Sequence, residues 1–124
     1  MRILGISGAH DASVCVLTDG VIERFYKEER LTKKKRDKTT YKSLVTIYEE
    51  FGQTIDKVVI STPTTNNFVD FGVCCKKLFG VEPEFVSQNH HLQHASLAFY
   101  HSGFDRCLTL VIDRNGSNVE NYFR

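Results

Sequence analysis

Three strand-like runs crowd into the first 27 residues, joined by connections too short for anything but a bend. Arg2 to Ser7 is rich in Ile, Leu and Gly, as a buried strand would be. Gly8-Ala9-His10-Asp11-Ala12 is a tight turn of small residues, and Ser13 to Leu17 is a second strand. Thr18-Asp19-Gly20 is a hairpin signal, followed by a third strand from Val21 to Lys27. A parallel crossover needs a dozen residues or more, so these strands form an antiparallel meander.

Beyond Lys27 the period of the apolar residues changes. Lys27 to Lys38 is strongly basic, with seven Lys or Arg in twelve residues and Leu31 its one aliphatic residue. It reads as an exposed loop: Lys33 to Lys38 is a solvated run rather than a contact for phosphate or nucleic acid, while Glu28, Glu29 and Arg30 stand out because they leave a strand near the first turn. Thr40 is placed to cap a helix from Tyr41 to Phe51, with Leu44, Ile47, Tyr48 and Phe51 on one face and Gly52 as the stop. Lys57 to Thr62 is a β-branched strand ended by Pro63. A second helix runs from Asn67 to Phe79, carrying Phe68, Phe71, Cys75 and Leu78, and stops at Gly80. Glu84-Phe85-Val86 is a brief strand, a third helix covers about His90 to Tyr100, and Cys107 to Ile112 reads as a last, buried strand.

This order predicts an α/β fold: a mixed sheet with an N-terminal antiparallel meander and helices packed on it. The ribonuclease-H-like core of the actin and sugar-kinase superfamily has this order, and other α/β folds are compatible with it. At 124 residues the chain makes one domain at most. The segment Asn118–Arg124 starts a strand-like alternation and stops, so the expectation is an incomplete fold, with a bare sheet edge that favours self-association.

A net charge of +1 argues neither for nucleic acid nor for a membrane surface as the general partner, and neither is expected. No run approaches the ~20 apolar residues that span a bilayer, and no secretory signal opens the chain. Cys15, Cys74, Cys75 and Cys107 form no Cys-x-x-Cys pair and each lies in an apolar run. They read as reduced core residues of a cytoplasmic protein.

Chemistry enters with His90-His91-Leu92-Gln93-His94-Ala95 and with Asp113 at the end of the last predicted strand. On a helix His90 and His94 stand one turn apart on one face, and α/β proteins hold ligands at the C-terminal ends of strands. Two imidazoles and a carboxylate suit a first-row transition metal with open positions. The same residues also suit a helix start with His91 in solvent and the other imidazoles bonded to loop carbonyls. Asp113-Arg114-Asn115-Gly116 is equally a good turn. His10 and Asp11, in the first turn, either help hold an anionic group or simply form a bend in which Asp11 bonds its own backbone.

Taken together, Ile3 to Ser13 with its Gly-x-His-Asp-Ala-Ser block, Asp19-Gly20, Glu28 to Lys35, the His-His-x-x-His-Ala block and Val111-Ile112-Asp113 resemble one family in order and spacing. These residues are similar to the N-terminal part of the O-carbamoyltransferases that tailor nodulation factors and antibiotics, related to the tRNA threonylcarbamoyl-transfer protein. The resemblance covers essentially the whole chain. It implies an actin-like ATPase lobe: residues 1–124 would be a fragment of the family's N-terminal domain, without the C-terminal adenylate-forming domain.

The resemblance further implies a nucleotide-using biosynthetic transferase. Carbamoyl phosphate and ATP give carbamoyl-adenylate, whose carbamoyl group passes to a hydroxyl of a small-molecule or saccharide acceptor. It implies Fe(2+) or a similar divalent metal held by His90, His94 and Asp113, with a fourth ligand beyond this sequence. It assigns His10 to the active site, either orienting the carbamoyl group or taking the acceptor's proton. The family usually follows its ligand Asp with Gly-x-Gly, whereas Arg114 and Asn115 follow Asp113 here. The chain alone is expected to be inactive until a missing half or partner chain completes it. The alternative expectation is a non-catalytic remnant that serves protein association.

Overall fold

In the computed structural model the described residues are 1–8, 11–61, 68–86 and 90–112, the side chains of 68–70 and 90 excepted. The expected meander is present: β1 (Arg2–Ser7), β2 (Ser13–Thr18) and β3 (Val21–Lys27) pair antiparallel in that order. Asp19 (φ 50°) and Gly20 (φ 84°) both adopt positive φ, as a tight two-residue hairpin requires. Then follow α1 (Glu28–Thr32), α2 (Tyr41–Phe51), β4 (Lys57–Ser61), α3 (Phe68–Phe79), β5 (Glu84–Phe85) and α4 (His90–Ser102). The sheet order is β3-β2-β1-β4-β5, with β4 parallel to β1 and β5 parallel to β4. The fold is therefore mixed α/β, with a five-stranded mixed sheet. The chain divides into two compact units, residues 1–86 and 87–124.

The first unit holds one core on one face of its sheet. Leu4 and Ile6 of β1, Val14 and Val16 of β2, and Val58 and Ile60 of β4 are all buried, as the period of two demands. Against them lie Leu44 and Ile47 of α2 and Phe71, Cys75 and Phe79 of α3. Of the residues expected to face inward on α2, Leu44 and Ile47 are fully buried, Phe51 is half-buried and Tyr48 stays exposed. Tyr48 instead meets Phe79 edge-on, ring centroids 6.0 Å apart.

Three expectations fail, each for a physical reason. The basic stretch is not all loop: Glu28–Thr32 is a short helix, and Glu28 and Asp37 are buried. Thr40 precedes α2 but supplies no side-chain cap. The Glu28 carboxylate does so from another element. Its Oε1 accepts from the Lys42 N–H (2.9 Å) and the Thr39 hydroxyl (3.4 Å), and its Oε2 from the Ser43 N–H (2.8 Å) and hydroxyl (2.5 Å). Two acceptor oxygens meeting two orphan N–H groups at the positive end of the helix outcompete one hydroxyl. The Thr40 hydroxyl is left buried, with no hydrogen-bond partner among the described residues.

The third failure is the segment Cys107–Ile112. It carries no strand, and Leu108, Leu110 and Ile112 are 98, 80 and 85 % exposed. Cys107, expected in the core, is exposed too. A single extended run cannot satisfy its own backbone, and the described part of its unit offers only α4 and no second strand. Apolar alternation records that a face wants burial; it does not supply the partner.

Two substitutions separate the two capping arrangements. Glu28→Gln sets an amide NH2 against N–H donors and should cost about 2–3 kcal/mol, read from urea denaturation of the first unit's signal. Thr40→Val should be neutral or stabilising by up to ~1 kcal/mol, since it removes a buried hydroxyl without a partner. A conventional threonine cap would instead lose about 1 kcal/mol on removal.

Candidate metal and anion site

The histidine helix forms where its sequence places it. α4 starts at His90 and runs to Ser102, so positions 90 and 94 lie one turn apart on it. Gly103 (φ 73°) ends it, and the Ser102 hydroxyl donates to the Phe99 carbonyl (2.8 Å) while accepting the Phe104 N–H (3.1 Å). His94 is exposed and His91 half-buried. None of the described side chains of α4 is buried: Leu92, Leu97 and Tyr100 are exposed, and Phe99 stacks edge-on against Tyr100 at 5.4 Å. This helix is not shaped to fill an apolar core; its polar residues crowd its first turn and a half.

His10 and Asp113 lie outside the described residues, as does the side chain of His90. Among the described residues no group of three or more His, Cys, Asp or Glu side chains is gathered for a metal ion. The helical spacing of His90 and His94 is thus the part of the predicted donor set that the fold exhibits.

The bend between β1 and β2 is described on both flanks. Gly8 is buried, and its N–H donates to the Ser61 carbonyl at the end of β4 (3.3 Å). A Cβ there would come within 2.8 Å of the Phe71 ring, so only glycine lets the chain pass so close to α3. Ala12 is buried, and its carbonyl accepts the Glu28 N–H (2.9 Å), which ties the bend to the start of α1. Asp11 is exposed and pairs with Lys27 (3.2 Å), which also lies 3.8 Å from Glu29. The Asp11 carboxylate is thus engaged by a cation of β3.

One feature of this end of the sheet was not singled out from the sequence. Ser7 faces Ser13 across β1–β2 and Ser61 across β1–β4, a row of three serines closing the strands. With Gly5, Cys15 and Val59 they line an open concavity of about 230 Å³ on the sheet face away from α2 and α3. The available signal was a serine at the start or end of each strand run, which reads equally as a turn residue.

Three of the described thiols are poorly placed to act as nucleophiles. Burial pushes the Cys15 and Cys74 thiols up, and that of Cys75 up to about 12, so all three are protonated at neutral pH. The basic loop is held by local hydrogen bonds. The Lys34 N–H donates to the Thr32 hydroxyl (3.3 Å), the Arg36 N–H to Glu29 (3.1 Å) and the Thr39 N–H to Asp37 (3.1 Å). The Thr39 N–H and hydroxyl hold the Asp37 carboxyl below its usual range.

Among the described residues no helix is long and apolar enough to cross a membrane. A comparison of the sequence with protein-family models finds no match.

Proposed function

We propose that this chain is the N-terminal lobe of a metal-dependent O-carbamoyltransferase, with a ribonuclease-H-like, actin-like fold. The observation that carries the reading is the helix that opens at His90 and sets His94 one turn later. The order β3-β2-β1-β4-β5, with β2 alone antiparallel to β1 and β3, supports the fold assignment, because a ribonuclease-H-like core has this arrangement. The donor chemistry fits the metal: two neutral imidazoles and a carboxylate suit Fe(2+) or a similar divalent ion.

In this reading His90, His94 and Asp113 hold the metal, which when bound supplies a Lewis acid for a carbonyl oxygen. A carbamoyl carbon is a poor electrophile because its nitrogen feeds electrons into the carbonyl, so adenylate as leaving group and a polarised oxygen both help. His10, in the bend flanked by buried Gly8 and Ala12, orients the carbamoyl group or accepts the proton of the acceptor hydroxyl. ATP and carbamoyl phosphate are substrates of the completed enzyme, and the acceptor is a small molecule or saccharide with a free hydroxyl. The chain works in the cytoplasm and needs a further half or partner chain for activity.

Cobalt(II) titration followed by d–d absorption tests the centre without requiring activity. One ion per chain is expected, with affinity weakened at least roughly tenfold in His90→Ala and in His94→Ala. His91→Ala should leave it unchanged, because residue 91 lies about 100° round the helix from residue 90. Equal loss in all three variants, or no binding by the completed protein, removes the metal and the catalytic reading with it.

A further inference from the structure

The strand β3 has no part in the chemistry above, yet its surface is unusual for a sheet edge. It ends the sheet and pairs, among the described residues, with β2 alone. Val21, Ile22 and Phe25 are all exposed on it. A seven-residue edge with three exposed large apolar side chains is a template for further strand pairing unless something covers it.

The register with β2 fixes which way each residue faces. Ile22 and Phe25 stand opposite Leu17 and Cys15, on the face away from the core. Val21, Arg24 and Tyr26 stand opposite Thr18, Val16 and Val14, on the helix-covered face. Glu23 is the extra residue of a bulge, and its hydrogen bond with Thr18 turns it to that same covered face. Glu23 and Arg24 are therefore neighbours on one side of the sheet, between two apolar residues on the other.

That pattern is its own complement. We propose that β3 is a homodimer interface, in which two copies lie antiparallel about a two-fold axis with Glu23 of each opposite Arg24 of the other. The same register sets Ile22 opposite Phe25 and Val21 opposite Tyr26, and every pair matches in face. Each contact occurs twice, as an isologous interface requires. The bulges also meet, so neither copy forces a regular strand onto an irregular one. A register with Phe25 opposite itself fails, because Glu23 would then face Lys27, which lies on the other side of the sheet opposite Ser13.

Both charged residues have internal partners and enough exposure for a second. Arg24 holds Glu50 at 2.7 Å and Glu23 lies 3.4 Å from Arg2, with Arg24 half-exposed and Glu23 about one-third exposed. Aromatic–aliphatic pairs such as Ile22 with Phe25 are the contacts that stabilise adjacent strands.

Sedimentation equilibrium on the full chain tests the interface. A reversible monomer–dimer equilibrium is expected. Glu23→Arg, which opposes two cations, should weaken it at least roughly tenfold. The exchange Glu23→Arg with Arg24→Glu should recover affinity to within about threefold, because it restores opposite charges in this register and in no shifted one. Phe25→Lys alters an exposed side chain and should give a monomer whose circular dichroism matches the parent, so the test survives if a charge variant fails to fold. A chain that stays monomeric up to about 1 mM overturns the proposal and leaves the edge to a different partner. Association unaffected by Phe25→Lys overturns it as well, and moves the contact to the exposed residues 108–112.

Discussion

The first unit turns on one buried carboxylate. Glu28 is 1 % exposed, and isolating a charge from water costs several kcal/mol unless the environment replaces the lost hydration. Here four donors replace it, two of them backbone N–H groups at the start of α2. The same residue's own N–H bonds the Ala12 carbonyl, so one residue joins the bend after β1, the end of β3 and the first turn of α2. The helix that covers the core is thus fixed to the edge of the sheet by polar contacts, not by apolar packing alone. Removing any one of them strands another buried group, which is why the cluster acts as a unit.

The sheet has two unlike faces, and the difference follows from composition along the strands. Toward α2 and α3 the central strands β1, β2 and β4 present Leu4, Ile6, Val14, Val16, Val58 and Ile60, all buried. Away from them, the ends of β1 and β4 and the start of β2 present Gly5, Ser7, Ser13, Cys15, Val59 and Ser61, while the larger Leu17, Ile22 and Phe25 lie farther along β2 and β3. The large residues create a core; the small ones leave backbone close to the surface. An extended strip of small side chains at the ends of β1 and β4 therefore coexists with a close-packed opposite side, and Gly8 joins the two, its N–H on the Ser61 carbonyl and its Cα against the Phe71 ring.

Much of this was legible in the sequence, for identifiable reasons. The meander was readable because Thr18-Asp19-Gly20 dictates a hairpin and the strands alternate. The bounds of α2 were readable because Leu44 and Ile47 recur at helical spacing and Gly52 ends them. The Glu28 cap was not, since a carboxylate that caps a helix thirteen residues downstream is a tertiary contact with no local signature. Glu28 stood out with Glu29 and Arg30 for leaving a strand near the first turn, but nothing local marks it rather than Glu29 as the buried one. The helical pair at positions 90 and 94 was visible for the same reason as α2: period alone defines it. A shared site for His10, Asp113 and that pair would be a long-range property, which spacing along a chain does not encode.

The segment 107–112 marks where such reading meets its limit. Leu108, Leu110 and Ile112 alternate with Thr109 and Val111, and the run contains neither charge nor proline nor glycine. Every local preference says strand, and the exposed alternation obeys them, yet the ladder is missing. A helix satisfies its backbone within itself, so α4 stands wherever its residues permit it. A strand depends on a second segment, and its backbone N–H and C=O groups stay with water until one arrives. The same asymmetry separates the two exposed apolar surfaces of this chain. β3 already has β2 on one side, so the backbone of its free edge is ordered before any partner arrives. Residues 107–112 have no such template and acquire an ordered face only by pairing.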